Sequence, residues 1–103
     1  MKIFHLKTLL ETKDPLNYIK SGLDPDIYDN PANAIFNSLR SDLTLSQLQD
    51  IIWESFYQEF CGGTIHDSKK LWMLDRNQAV NIIGYPSNFK SLAMEIRLKF
   101  DSF

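Results

Sequence analysis

The sequence predicts an α+β domain of four or five helices, with one antiparallel β-hairpin at about residues 70–85, before the C-terminal helix. Three observations predict it. Aspartate or asparagine precedes proline at three places, a pattern typical of helix starts. A capped apolar stripe of helical period runs from Leu45 to Cys61. After Gly62 and Gly63 the period of apolar residues changes from helical to extended.

The first forty residues are predicted to hold short helices and a turn. The opening segment, about Ile3 to Thr12, has leucines at helical spacing, although its first four residues, up to Leu6, are also compatible with a strand. A helix from Pro15 is expected to end at Gly22, because glycine tolerates the left-handed conformation that follows helices. Two further elements are predicted: a turn over Asp24–Asp29 and a helix from Pro31 to about Arg40.

The segment Leu45–Cys61 has the strongest helix signals in the chain. Thr44 and Gln47 have the spacing of a capping box, and two glycines follow the segment. The apolar residues that recur at helical spacing on one face are Leu45, Leu48, Ile52 and Phe56. This face is predicted to lie in the core.

Two runs of strand length follow, Lys70–Asp75 and Ala79–Tyr85, joined by a polar turn at Arg76, Asn77 and Gln78. Both runs are rich in apolar and β-branched residues, which favours an antiparallel hairpin. Such a hairpin has to pack on helices, because two short strands are marginally stable alone. Apolar residues then recur at helical spacing from Phe89 to Phe100, which predicts a final amphipathic helix.

Length and composition restrict the class of protein. A chain of 103 residues that is 44% hydrophobic fits one domain, residues 1–103, with a single core. No apolar run approaches the roughly 20 residues of a membrane span, and the N-terminus has no signal-peptide pattern. We therefore expect a cytoplasmic protein without a membrane partner. The pI near 5.6 and the lack of a Lys/Arg cluster argue against nucleic acid as the main ligand.

Charge is divided along the chain. Residues 21–68 contain eight carboxylates and one cation, Arg40, for a net charge of −7. Residues 1–20 sum to +2 and residues 69–103 to +3. Because like charges that lie together create a field that steers encounter, this pattern favours a cationic partner for the central segment.

Two acidic segments that contain aromatic residues form the candidate partner-binding surface. The residues are Asp24, Asp26, Tyr28 and Asp29 in the predicted turn, and Asp50, Trp53, Glu54 and Tyr57 on the side of the long helix opposite its apolar stripe. Carboxylates bind Arg and Lys through charge-assisted hydrogen bonds, and Trp and Tyr are enriched at interface hot spots. The alternative is that the acids cap helices or are solvated, and that the rings pack under the hairpin or the last helix.

No catalytic residue, metal site or cofactor is predicted. Cys61, His66 and Asp67 are the one cluster that resembles a nucleophile or metal set, but a structural zinc site needs four N or S ligands. The whole chain has one Cys and two His. A catalytic pair of Cys61 and His66 lacks a third, orienting group. The glycine patterns that bind phosphate are absent.

The stretch from Asp14 to Phe60 resembles a family of small uncharacterised bacterial helical proteins. The residues that carry the resemblance are Asp14-Pro15, Gly22, Tyr28-Asp29, and Phe60 shortly before Gly62, with Cys61 intervening. That family implies no activity. In size, acidity and build the chain is also similar to the small bacterial immunity proteins of contact-dependent growth inhibition and colicin systems. Many of the toxins that such proteins neutralise are cationic nucleases.

This second resemblance implies a protein-binding inhibitor, not an enzyme. We expect an immunity protein that is monomeric when free and that occludes the active site of a basic toxin domain through the acidic, aromatic surface. One rival is a structural or adaptor protein that self-associates through the strip of Trp53 and Tyr57. Another is an enzyme built around Cys61 and His66.

Overall fold

The computed structural model describes residues 2–65 and 69–101, in which five α-helices and two 3₁₀ turns surround one core. The α-helices are α1 (Ile3–Lys13), α2 (Asp29–Ser38), α3 (Leu45–Phe60), α4 (Arg76–Ile83) and α5 (Lys90–Asp101). The 3₁₀ turns are Pro25–Tyr28 and Pro86–Phe89, and two short strands are β1 (Gly62–Ile65) and β2 (Lys69–Met73). None of the described helices is long and apolar enough to cross a membrane.

Helix α3 is the central element, and α2, α4 and α5 all contact it. Its predicted capping box is confirmed. The Gln47 N–H donates to Thr44 Oγ1 at 3.1 Å, and the Thr44 N–H donates to Gln47 Oε1 at 2.9 Å. Leu48, Ile52 and Phe56 are buried, as the apolar stripe predicts. The exchange of hydrogen bonds at the first turn satisfies two backbone donors, one of which would otherwise be orphaned inside the helix.

The predicted α+β class and its hairpin at about 70–85 are wrong. Residues 76–83, expected to supply the turn and much of the second strand, form helix α4. In the described residues the strand pairing lies earlier in the chain and is one short antiparallel ribbon of β1 with β2, with a bulge between Gly63 and Thr64. Most of the described core residues belong to the helices, and the ribbon follows the end of α3.

Helix α4 forms because its flanking residues favour a helix more than its β-branched content favours a strand. The Asp75 carboxylate accepts the Asn77 N–H at 3.0 Å and caps the first turn. Ala79 and Ile83, one helical turn apart, are the buried positions. Gly84 follows with φ 83°, a left-handed conformation that glycine adopts readily.

At the N-terminal end one prediction is confirmed and one is wrong. The opening segment is helix α1, with Leu6, Leu9 and Leu10 buried, and not a strand. The helix predicted from Pro15 to Gly22 is absent, because residues 15–22 form a series of turns. The turn at Asp24–Asp29 is confirmed as a 3₁₀ turn. The helix predicted from Pro31 to about Arg40 is confirmed as α2, which starts at Asp29, and the predicted C-terminal helix is confirmed as α5, which a 3₁₀ turn precedes.

Candidate protein-binding surface

The predicted acidic turn is exposed, except for its aromatic residue. Asp24 and Asp26 are exposed and Asp29 is half-buried. Asp24 accepts the Asp26 N–H at 3.2 Å, and its charge raises the pKa of Asp26 above the ordinary value. Tyr28, predicted to be part of the partner-binding surface, is not exposed, because this side chain is fully buried against Phe56. The turn therefore presents carboxylates without a ring.

The hydroxyl of the buried Tyr28 is satisfied by a hydrogen-bond network around Asp14, a residue that the sequence predicted to cap a helix. The Tyr28 hydroxyl donates to Asp14 Oδ1 at 2.7 Å and accepts the Leu16 N–H at 3.1 Å. Asp14 also accepts the N–H groups of Ile19 at 3.1 Å and Lys20 at 3.0 Å. Burial raises the pKa of Asp14, but these hydrogen bonds outweigh burial and hold the pKa below its ordinary value. The network orders the turns of residues 15–22.

The second group of predicted acids lines an open groove between α2 and α3. One wall is formed by Asp50, Glu54 and Gln58, which follow one another at intervals of one helical turn. Asp50 is exposed and Glu54 is half-buried. Ala34 and Ser38 of α2 and Ile51 and Ser55 of α3 complete the groove, whose volume is about 270 Å³. The groove therefore combines carboxylates at the rim with apolar and hydroxyl groups inside. Its α2 residues were not among the predicted site residues.

Trp53 and Tyr57 do not lie on the surface, so their assignment to an exposed strip is wrong. They are 5% and 7% exposed and stack on each other with ring centroids 5.1 Å apart. The Trp53 indole N–H donates to the Gly84 carbonyl at 2.6 Å, and the Tyr57 hydroxyl donates to the Leu74 carbonyl at 2.5 Å. The rings are thus covered by helix α4 and the residues on both sides of it, as the alternative interpretation anticipated in outline.

Arg76, expected in a hairpin turn, contacts both the stacked rings and one of the predicted acids. Its guanidinium carbon lies 4.8 Å from the Tyr57 ring centroid and 5.5 Å from that of Trp53. Its Nη1 also donates to the Glu54 carboxylate, which raises the pKa of the arginine above its ordinary value. The Asp75 cap and the helical spacing of Ala79 and Ile83 are the signals in the sequence that place Arg76 at a helix start.

The two acidic groups lie along the same seam of the molecule. The acidic turn leads directly into α2, and Asn30 in its first turn donates to Glu59 near the end of α3 at 3.2 Å. Asp50 and Glu59 are nine residues apart, which is about 13 Å along a helix axis. Asp50, Glu54 and Glu59 therefore follow α3 along its seam with α2, and the acidic turn of Asp24, Asp26 and Asp29 leads into α2 at one end of this seam.

The basic ends of the chain meet on another side. Lys13 of α1 forms an ion pair with Glu95 of α5 at 2.9 Å. A second groove, of about 540 Å³, lies between these helices and is lined by Phe4, His5, Thr8, Leu9, Thr12, Lys13, Glu95 and Lys99. The two ends of the chain that carry net positive charge therefore approach each other at this groove.

The cysteine of the rival catalytic pair is buried, with 1% of its surface exposed at the end of α3. His66 and Asp67, its predicted companions, lie outside the described residues. Within the part of the chain that the structure describes, no group of three or more His, Cys, Asp or Glu side chains could hold a metal ion.

No family model, curated protein or solved structure matches this chain. The resemblances of the sequence to an uncharacterised helical family and to immunity proteins therefore stay predictions.

Proposed function

We propose that this protein binds and blocks a cationic protein partner in the bacterial cytoplasm, most concretely a nuclease-type toxin domain, as an immunity protein does. The binding surface in this proposal is the α2/α3 groove together with the acidic turn before α2. The observation that carries it is the groove itself, whose lining combines the carboxylates of Asp50 and Glu54 with mainly apolar surface. The charge of −7 over residues 21–68 supports the choice of a cationic partner.

The groove fits the long basic side chains of such a partner. Lys and Arg contact apolar surface with their stems while the charged group reaches outward. The stem would lie on Ile51 and Ala34, and the charged group would reach Asp50 or Glu54 at the rim. Hydrogen bonds between ionised groups are about twice as strong as neutral ones, so a few such contacts give both orientation and affinity.

A stable interface needs more surface than the groove alone provides. A stable interface covers about 800 Å² on each partner, which a groove of this size does not supply. The acidic turn extends the surface, since Asp24 and Asp26 are exposed and lie before α2 at the far end of the seam. Blocking is then steric, because this protein, bound along the whole seam, covers the basic active-site cleft of the toxin domain. Association is accelerated by the opposite charges.

The test is charge reversal at Asp50, with a cationic nuclease-type toxin domain that binds the wild-type protein as the partner. Asp50→Lys should weaken the Kd at least about tenfold and slow association, because it places like charges opposite each other. Asp42→Lys is the matched control, since Asp42 is an exposed carboxylate outside the groove, 77% exposed and paired with Arg40. Raising NaCl from about 50 to about 500 mM should slow association of the wild type. Binding that is indifferent to salt and to Asp50→Lys would exclude this surface.

A second candidate function is self-association as a structural or adaptor protein, through a different surface from the one the sequence predicted. The strip of Trp53 and Tyr57 is covered, whereas Phe4 on α1 and Leu98 on α5 are 69% and 68% exposed. Phe4 also lines the α1/α5 groove. Sedimentation velocity at micromolar concentration distinguishes the two: a dimer lost in Phe4→Ser supports an adaptor, and a monomer at all concentrations excludes it.

A further inference from the structure

The aromatic face of α3 holds a guanidinium group of the protein's own. Arg76 lies over the stacked rings of Tyr57 and Trp53, at 4.8 and 5.5 Å from their centroids, and donates to Glu54. The two rings are nearly parallel, with an interplanar angle of 14°, and the guanidinium carbon lies within cation–π distance of both centroids. A flat π surface beside a carboxylate is suited to the planar, charged guanidinium and less suited to the compact ammonium of lysine.

The Arg76 side chain is the least fixed part of this arrangement. It is 58% exposed, and the Glu54 side chain with which it pairs is 42% exposed. Helix α4 has other attachments, because the Gly84 and Leu74 carbonyls accept hydrogen bonds from Trp53 and Tyr57. Rotation of the arginine side chain would therefore vacate its place beside the rings and Glu54 while these hydrogen bonds hold α4 in position.

We propose that Trp53, Tyr57 and Glu54 form a guanidinium-binding site, which Arg76 fills in the free protein and an arginine of the partner fills in the complex. This inference rests on the proposed function and assigns the chemistry of the partner's anchoring residue. Glu54 is the link between the two sites, because it forms part of the wall of the open α2/α3 groove and also pairs with Arg76. An arginine that enters along the groove reaches the same carboxylate.

In this exchange one guanidinium group, that of Arg76, is replaced by another, that of the partner's arginine. The incoming guanidinium forms the same stack and ion pair that Arg76 gives up, so the net cost is small. An exposed ion pair and an exposed cation–π contact together correspond to about a tenfold change in an equilibrium constant, or about 1.4 kcal/mol. A free guanidinium should therefore bind about tenfold more weakly to the wild type than to a variant without the Arg76 side chain.

The experiment is chemical rescue of Arg76→Ala with ethylguanidinium chloride. The indole N–H resonance of Trp53, assigned by its loss in Trp53→Phe, reports on the site, because this group donates to Gly84 beside the stack. The chemical shift of this resonance should differ between Arg76→Ala and the wild type. Ethylguanidinium should return it toward the wild-type value along a saturating binding curve, whereas NaCl at equal ionic strength should leave it unchanged. Ethylammonium chloride should bind more weakly, since it is not planar.

Two controls test the assignment. Arg40→Ala removes an exposed arginine that pairs with a carboxylate, Asp42, at 3.1 Å, but that has no ring contact among the described residues. Its spectrum should therefore respond to ethylguanidinium no more than that of the wild type does. Glu54→Gln in the Arg76→Ala background should abolish the saturable response. Circular dichroism verifies that each variant is folded. If Arg76→Ala unfolds, Arg76→Lys, which keeps the charge without the planar group, should be rescued in the same way.

A linear, non-saturating response in both Arg76 variants, or the same response in Arg40→Ala, would overturn the inference. No partner takes part in this titration, so its failure is distinct from failure of the proposed function. Ethylguanidinium rescue with a partner complex indifferent to Asp50→Lys would retain the guanidinium site and remove the groove. Loss of binding in Asp50→Lys without rescue would do the reverse.

Discussion

Replacing Asp14 with asparagine should lower the free energy of unfolding by about 2 kcal/mol at neutral pH. In the structure Asp14 Oδ1 accepts from Tyr28 and Ile19, and Oδ2 accepts the Lys20 N–H at 3.0 Å. Asparagine keeps the first oxygen but places an amide nitrogen, a donor, against the Lys20 N–H. One hydrogen bond to a charged group is lost, which costs about 1.5–3 kcal/mol. The backbone is not strained by the change, because asparagine tolerates the left-handed φ of 46° found here.

The effect should depend on pH with a defined sign. The pKa of Asp14 is lowered in the folded state, so the unfolded chain binds a proton at higher pH than the folded one. The carboxylate therefore contributes its full stability above the unfolded pKa of about 3.9, and this contribution is lost as the pH falls through the folded pKa. The difference between wild type and Asp14→Asn should be constant from neutral pH to about pH 5 and shrink below about pH 4.

Urea unfolding, followed by circular dichroism at a series of pH values, measures both quantities. Asp42→Asn is the matched control, because Asp42 is an exposed carboxylate whose side chain is 77% accessible, and it should change stability by less than about 0.5 kcal/mol. The reasoning is refuted if Asp14→Asn is as stable as Asp42→Asn at pH 7. It is also refuted if the difference grows on acidification.

Three further substitutions test the fold, each by urea unfolding. Thr44→Ala should cost about 1 kcal/mol, because it removes the hydroxyl that caps α3; an unchanged midpoint would contradict the capping role. Phe56→Ala should cost about 3–5 kcal/mol, since this fully buried ring joins the aromatic core; a cost below about 1 kcal/mol would contradict its central position. Gly84→Ala should cost more than Gly22→Ala. The angle φ is positive at both, but only at Gly84 would the new Cβ meet an atom, Asn88 Nδ2 at 2.5 Å, so the Asn88 side chain has to move; equal costs would show that it moves freely and contradict this prediction.

The elements that the sequence predicted correctly are those whose signals are local. The α3 capping box involves two residues that are three apart, so its hydrogen bonds form wherever the helix forms. The leucines of α1 and the apolar residues of α5 are spaced for one buried face, and both helices were predicted. In each case local preference and tertiary packing favour the same structure.

Residues 76–83 were predicted wrongly because a short apolar run fits a strand and a helix about equally well. Val80, Ile82 and Ile83 favour a strand by composition. The deciding groups are at the two ends, the Asp75 cap and Gly84, together with the place that α3 offers for Ala79 and Ile83. The turns of residues 15–22 were predicted as a helix because Asp14-Pro15 has the pattern of a helix start. In the structure Asp14 instead accepts the N–H groups five and six residues ahead, which are not those of a helix.

The position of a residue around a helix, which spacing gives, does not determine whether that side of the helix is exposed. Spacing correctly placed Trp53, Glu54 and Tyr57 side by side on α3, away from its apolar stripe, but spacing contains no information about which element covers that side. Arg76 covers it, and its guanidinium is the group that an acidic, aromatic face was expected to bind. Since the chain itself supplies a cation there, the free protein avoids exposing two large rings to water. The same cation indicates the ligand chemistry that the face can accept, and this is why the proposed partner contributes an arginine.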